Sequence, residues 1–228
     1  MKILARGSNT RLKELEEKLD DKAHNLTKID DLDLISDNVN DYDLIFDLKF
    51  DDHPDRLKYY AHLKNKPIIV GAVKQQLAKA KFDFKREIEC NLIGMNTLPG
   101  FINRSLVELS LLDSNKTNEL QELMKNLGWD YKLVQDRIGM VTPRVIFMII
   151  NESCYTLQEG TADMKDIDTS MKLGTNYPYG PFEWADKIGI KHVYETLEAM
   201  YADTHDERYK LCPLLKTKYL KGETFYSV

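Results

Sequence analysis

Short apolar segments alternate with helical patterns over residues 1–136. The first pair is an apolar run at 2–5, then a turn and a helical repeat formed by Leu12, Leu15 and Leu19. Strands that alternate with helices are joined by parallel crossovers, so this region predicts an α/β domain with a doubly wound sheet. Further strands are expected at 25–29, 42–48, 67–72, 91–95, 106–110 and 131–135, and further helices at about 74–81 and 117–127.

The α/β domain is expected over 1–136, and helical segments occur within 137–228. Apolar side chains recur at helical intervals in one unusually apolar segment, which predicts a helix buried over much of its surface. The Gly180-Pro181 pair breaks the chain before a helix at 182–188, and Gly189 closes that helix. The recurring apolar residues of the buried helix are Ile146, Ile149, Ile150 and Leu157.

Composition narrows the classes of partner. The 228 residues are 43% hydrophobic, enough for one sizeable core or two modest ones. No apolar stretch approaches the roughly 20 residues of a membrane helix, and the N-terminus lacks a secretory signal, so we expect a cytoplasmic protein without a membrane partner. A net charge of −5 with interspersed signs disfavours nucleic acid. The widely spaced Cys90, Cys154 and Cys212 predict buried reduced thiols, and no metal site is predicted.

The turn after the first strand is where a doubly wound sheet binds dinucleotides, through backbone N–H groups at the start of a helix. The full fingerprint has three glycines, whereas this turn reads Gly7-Ser8-Asn9 and has one. Asp30 ends the second predicted strand, where a ribose-binding acid is expected, although an Asp there is also a common turn former. Arg11 is expected either to offset phosphate charge or to lie on the helix surface.

Several motifs in the helical region occur together in an order that is specific to one family. The motifs are Asn151-Glu152, Gln158-Glu159-Gly160, Asp166-Ile167-Asp168, Met171-Lys172-Leu173-Gly174 and Tyr177-Pro178-Tyr179-Gly180-Pro181-Phe182-Glu183. With them, the stretch from Arg137 to the C-terminus closely resembles the all-helical C-terminal domain of the 3-hydroxyacyl-CoA dehydrogenase family, which implies an all-α domain over 137–228. The closing segment, from Arg208-Tyr209 through Pro213-Leu214-Leu215 to Phe225-Tyr226, is also similar to that of the family.

The resemblance implies an NAD-dependent oxidoreductase that acts on 3-hydroxyacyl-CoA in fatty-acid metabolism. It implies a shortened Rossmann-like domain at the N-terminus, in which the Gly7-Ser8-Asn9 turn and Asp30 would bind the cofactor NAD. It also implies a homodimer that pairs through the C-terminal helices, and a small-molecule partner of the acyl-CoA type.

The catalytic positions implied by the resemblance are only partly retained. Leu92-Ile93-Gly94-Met95 resembles the strand that leads into the catalytic histidine of the family, which places Asn96 at the position of that base. Glu108 matches the glutamate that orients the histidine. Pro143 stands where the family has an asparagine near the substrate, and Gly71-Ala72-Val73 replaces a segment that contacts the acyl group.

The substitution at position 96 leads to two hypotheses. An amide cannot take up the proton of a hydroxyl group, whereas an imidazole titrates near neutral pH. The first hypothesis is a dehydrogenase that is impaired in standard catalysis, with Glu108, or a group that the family pattern does not match, serving directly as the base for any remaining activity. The alternative is a non-catalytic homologue that binds a ligand or pairs with an active relative.

Overall fold

The computed structural model describes residues 1–19, 24–29 and 39–226. The chain divides into two compact units, Met1–Met140 and Val141–Val228. Asp30, the expected ribose-binding acid, lies outside the described residues.

The first unit is built on a single sheet of seven strands. They are β1 (Lys2–Arg6), β2 (Asn25–Ile29), β3 (Leu44–Asp47), β4 (Pro67–Gly71), β5 (Asn91–Met95), β6 (Leu106–Leu111) and β7 (Asp130–Leu133). Their order is β2-β1-β3-β4-β5-β6-β7, and every neighbouring pair is parallel except β5 with β6. The chain leaves β1 toward β2 and returns to β3 on the other side of β1. This confirms the predicted doubly wound sheet and puts its switch point between β1 and β3.

Helices of the first unit are α1 (Asn9–Leu19), α2 (Leu57–Tyr60), α3 (Leu77–Phe84) and α4 (Thr117–Leu127). The leucines of α1 and α4 belong to one core cluster with the buried side chains of β1, β3 and β6. Helix α3 begins later than the predicted residue 74. Its first turn is capped by Asp136, whose carboxylate accepts the N–H groups of Leu77 at 2.8 Å and Ala78 at 2.9 Å.

The second unit consists of helices α5 (Thr142–Gln158), α6 (Met164–Thr175), α7 (Pro181–Ile188), α8 (Ile190–Thr204) and α9 (Pro213–Lys221). Helix α5 packs against each of the other four. As predicted, α7 begins at the Gly180-Pro181 break, and Gly189 ends it with a φ of +97°.

A buried carboxylate fixes the start of α7. Asp168 on α6 is only 2% exposed and accepts the N–H groups of Phe182 at 2.9 Å and Glu183 at 3.2 Å. It also accepts the hydroxyl of Tyr226 at 2.7 Å. A Cβ atom on Gly180 would lie 2.3 Å from the Cγ of Asp168, so this position has no room for a side chain. The Gly-Pro-Phe-Glu motif is therefore explained by packing.

Two further expectations concern the chain as a whole. Cys90, Cys154 and Cys212 are buried free thiols, as predicted, and burial raises the pKa of Cys90 to about 12. Across the described ranges, no helix combines the length and apolar character that crossing a bilayer requires.

Candidate functional site

The carboxyl ends of β1, β3, β4 and β5 lie along one edge of the sheet, because these four strands are parallel. Gly7, Ser8 and Asn9 follow β1 directly, and Asn96 follows β5. The sheet therefore brings the predicted cofactor turn and the predicted catalytic position to the same edge, where open α/β sheets bind their ligands.

Side chains of the protein itself pack closely against the Gly7 turn. A Cβ atom on Gly7 would lie 3.1 Å from Cδ1 and 3.2 Å from Cβ of Leu48, and 3.4 Å from Cγ of Leu12. Gly7 is buried, and helix α1 starts two residues later. Packing against Leu48 is thus sufficient reason for a glycine here.

Arg11 lies beneath this turn and is only 2% exposed. Its guanidinium donates a hydrogen bond to the carbonyl oxygen of Leu48, the residue after β3. The hydroxyl of Thr97, just after Asn96, donates to the same oxygen at 3.2 Å. The expectation of a helix-surface arginine is wrong, because Arg11 is one helical turn before Leu15 and shares its buried face.

The charges of four carboxylates favour the protonated form of Arg11. Burial lowers the pKa of Arg11, whereas the nearby carboxylates raise it. An arginine keeps its charge at physiological pH, so a permanent cation is buried at this edge of the sheet. The carboxylates are those of Asp52, Asp51, Glu14 and Asp47.

Asp51 joins the loops after β3 and β4. Its carboxylate accepts the N–H groups of Val73 at 3.0 Å and Lys74 at 2.8 Å. Burial raises the pKa of Asp51, and these two N–H groups lower it. The Nζ atom of Lys74 pairs with Asp52 at 2.7 Å, and both groups are largely buried. The predicted segment Gly71-Ala72-Val73 therefore contacts carboxylates of the protein.

A second buried pair lies at the end of β1 and β3. Arg6 and Asp47 occupy paired positions in the two strands, and their side chains are 3.5 Å apart. The hydroxyl of Tyr60 also donates to Asp47 at 3.2 Å. Burial raises the pKa of Asp47, and Arg6 lowers it. Sequence reasoning missed this pair, although a charged residue ends each of two buried apolar runs.

Asn96 and Glu108 meet through the antiparallel pairing of β5 with β6. The N–H of Asn96 donates to the carbonyl oxygen of Glu108 at 3.3 Å. Asn96 is 3% exposed, and its side-chain oxygen accepts the N–H of Leu98 at 3.3 Å. This amide therefore stabilises the turn after β5, and Glu108 is partly buried beside it.

Pro143 belongs to the second unit. It lies buried in the first turn of α5, where the missing N–H of a proline costs no helical hydrogen bond. The exposed side of the same helix borders a groove of about 840 Å³. Its apolar lining includes Val145, which is 54% exposed, together with Met148, Ile149 and Met171. Charged side chains of both signs also line the groove, namely Arg144, Glu152 and Arg208.

The helical unit matches a known protein family. Residues 139–225 match the family model described as "3-hydroxyacyl-CoA dehydrogenase, C-terminal domain". The 3-hydroxyadipyl-CoA dehydrogenase of Escherichia coli is 42% identical over 87 residues, which are 38% of this chain and 18% of that protein. A probable 3-hydroxybutyryl-CoA dehydrogenase of Bacillus subtilis is 36% identical over 134 residues, 58% of this chain and 46% of that protein. The chain thus spans less than half the length of these relatives.

The whole fold also has a solved counterpart. The (S)-3-hydroxybutyryl-CoA dehydrogenase PaaH1 from Ralstonia eutropha superposes with a TM-score of 0.71 and 20% identity. The match covers 97% of this chain and 94% of that chain. At this identity the likeness concerns the fold, which here is a doubly wound sheet domain followed by a helical domain.

Proposed function

Because the chain belongs to the 3-hydroxyacyl-CoA dehydrogenase family, we propose that it is a member impaired in the family's standard reaction. One observation carries this proposal, the buried Asn96 at the end of β5 whose amide oxygen caps the N–H of Leu98. An amide cannot accept the proton of a 3-hydroxyl group. The loss of a general base alone slows such a reaction by about 10²- to 10⁴-fold.

A turnover assay tests this proposal. Acetoacetyl-CoA and NADH are mixed with the full chain, and the absorbance of the nicotinamide is followed over time. We expect a rate no greater than that of protein-free buffer. A protein-dependent rate approaching that of an active family member, assayed in parallel, would contradict the proposal.

A second candidate is residual dehydrogenase activity with Glu108 as the base. It is favoured by the strand register, which puts the carbonyl of Glu108 within 3.3 Å of the N–H of Asn96. Any slow turnover should then disappear in Glu108→Gln. Glu122→Gln, on the exposed face of α4, is the matched control and should leave that rate unchanged. A rate that survives Glu108→Gln would remove this candidate.

The other expected property is a homodimer formed through the helical unit. The apolar groove beside α5 supports it, because a monomer leaves Val145 54% exposed. Val145→Glu should shift the mass measured by light scattering from dimer to monomer. Phe82→Glu, which changes a 78% exposed side chain of the first unit, should leave the mass unchanged.

The ligand class and cofactor are proposals at the level of the family. An acyl-CoA-type molecule is the proposed small-molecule ligand, and a non-catalytic member would bind it without turnover or pair with an active relative. Calorimetric titration with acetoacetyl-CoA tests binding, and co-purification with such a relative tests pairing. NAD is the cofactor that the family suggests, with Gly7, Ser8 and Asn9 as the assigned residues, but the buried contacts of Arg11 beside this turn oppose its binding to this chain. The cytoplasm is the proposed location, which cell fractionation tests.

A further inference from the structure

We propose that Arg11 and the loops around it close the dinucleotide crevice of the sheet, so that this chain does not bind NAD or NADH. This inference goes beyond the proposed function, which rests on the absent base at position 96 and holds whether or not a cofactor binds.

The crevice in question lies at the switch point between β1 and β3. In a doubly wound sheet, a dinucleotide lies across the carboxyl ends of the strands there, with its pyrophosphate against the first turn and the following helix. The groups that must leave room for it here belong to the Gly7 turn, to α1 and to the residues after β3 and β5.

Arg11 fills the space between α1 and the end of β3. Its guanidinium is buried and hydrogen-bonded to the carbonyl oxygen of Leu48. The hydroxyl of Thr97 reaches the same oxygen from the end of β5. One carbonyl thereby joins the ends of two strands to the first helix, at the carboxyl edge of the sheet where a dinucleotide would have to lie.

Glu14 closes the neighbouring part of the crevice. Its carboxylate, one turn after Arg11 on α1, accepts the N–H groups of Gly100 at 2.7 Å and Ile102 at 3.3 Å. On the same helix, Lys18 donates to the carbonyl oxygen of Arg104. The loop after β5 is thus fastened along α1, and the N–H groups of Gly100 and Ile102 already have acceptors.

Charge opposes a pyrophosphate as well. Four carboxylates raise the pKa of Arg11, and they belong to Asp52, Asp51, Glu14 and Asp47. An incoming pyrophosphate would add two negative charges near these carboxylates and would have to displace the carbonyl of Leu48 to reach the guanidinium. Admitting it therefore requires breaking the bond between Arg11 and Leu48 and bringing like charges together.

The direct test is a titration of the full chain with NADH. Binding is monitored by calorimetry and by the fluorescence of the nicotinamide. We expect no saturable signal up to about 1 mM NADH, where even a weak site contributes measurable binding. An active family member titrated in parallel shows that the conditions detect binding. Saturable binding with a micromolar Kd would overturn the inference, and so would binding that Arg11→Ala weakens, because Arg11 would then be a phosphate ligand.

Substitution tests the closure itself. Arg11→Ala should lower Tm, because it removes the buried hydrogen bond to Leu48 and a positive charge that Asp51, Asp52 and Glu14 favour. Lys13→Ala removes an exposed cation two residues away and should change Tm by less than about 2 °C. Equal Tm values for the two variants would overturn the inference. If Arg11→Ala does not fold, Thr97→Val, which removes the other donor to Leu48, gives the same readout.

The outcomes separate this inference from the proposed function. Saturable NADH binding without turnover would overturn only the closed crevice and leave the impaired reaction standing. Slow protein-dependent turnover with NADH would overturn only the closed crevice, whereas turnover at a rate approaching that of an active family member would overturn both. Absence of binding together with absence of turnover is the result expected from the two proposals combined.

Discussion

Replacing Gly180 by alanine should separate the role of packing in the Gly-Pro-Phe-Glu motif from any role in chemistry. The new Cβ would lie 2.3 Å from Cγ and 2.4 Å from Cβ of Asp168, atoms that cannot move far unless α6 moves. The carboxylate would then lose good geometry to the N–H groups of Phe182 and Glu183. Hydrogen bonds to a charged group are worth about 1.5–3 kcal/mol each, and overpacking costs about 1–3 kcal/mol. Because partial relaxation is expected, we predict a loss of about 3–5 kcal/mol in the free energy of unfolding.

Urea unfolding followed by tryptophan fluorescence measures this loss in the helical unit alone. The chain has two tryptophans, so Trp129→Phe leaves Trp184 on α7 as the only reporter. Gly174→Ala is the matched control, because its Cβ on α6 meets no atom within 4 Å and alanine should add about 0.5–1 kcal/mol. In an Asp168→Gly background, which removes both the Cβ and the carboxylate that the new methyl group would meet, the further loss caused by Gly180→Ala should be less than about 1 kcal/mol. An equal cost in both backgrounds would refute the argument.

Three other predictions concern Glu183, the buried thiols and Asn96. Lys172 and the N–H of Gly180 lower the pKa of Glu183, so this carboxylate stabilises the fold above its unfolded pKa and loses that effect as pH falls through its folded pKa. Glu183→Gln should therefore lower the free energy of unfolding by about 0.5–1 kcal/mol near pH 7 and by almost nothing below about pH 3. Urea unfolding midpoints measure this loss at each pH. The control variant Glu122→Gln should show no such dependence on pH. The buried thiols, among them Cys90, whose pKa burial raises to about 12, should react with a thiol reagent only after unfolding, and fast labelling of the folded chain would contradict this. Asn96→His restores an imidazole but leaves the crevice closed, so we expect no nicotinamide oxidation with acetoacetyl-CoA, and protein-dependent oxidation would count against the closure.

The strands and most helices could be predicted because each has a local signal. The apolar runs that became β1, β2 and β5 are bounded by polar residues, and the leucine repeat of α1 has helical spacing. The short helix α2 was missed, since its four residues are too few to show a period. The register of β5 with β6 was also beyond sequence reasoning, because strand pairing depends on contacts between distant residues.

The site was less predictable than the fold. The expected residues Gly7, Ser8, Asn9 and Asn96 did reach one edge of the sheet, because parallel strands end there together. What fills that edge could not be foreseen, because it depends on the directions of individual side chains. Arg11 had one sequence signal, its spacing of four residues from Leu15, which indicates a buried face.

The cap on α3 has a consequence for when the first unit can finish folding during synthesis. Leu77 and Ala78 obtain their hydrogen-bond acceptor from Asp136, which follows them by 59 and 58 residues. The N–H of Gly139 similarly donates to the carbonyl of Val73 at 2.7 Å. A nascent chain cannot complete these contacts until the ribosome has released the last residues of the unit. The α/β unit is therefore expected to become resistant to protease in a single late step of synthesis, after which the helical unit follows.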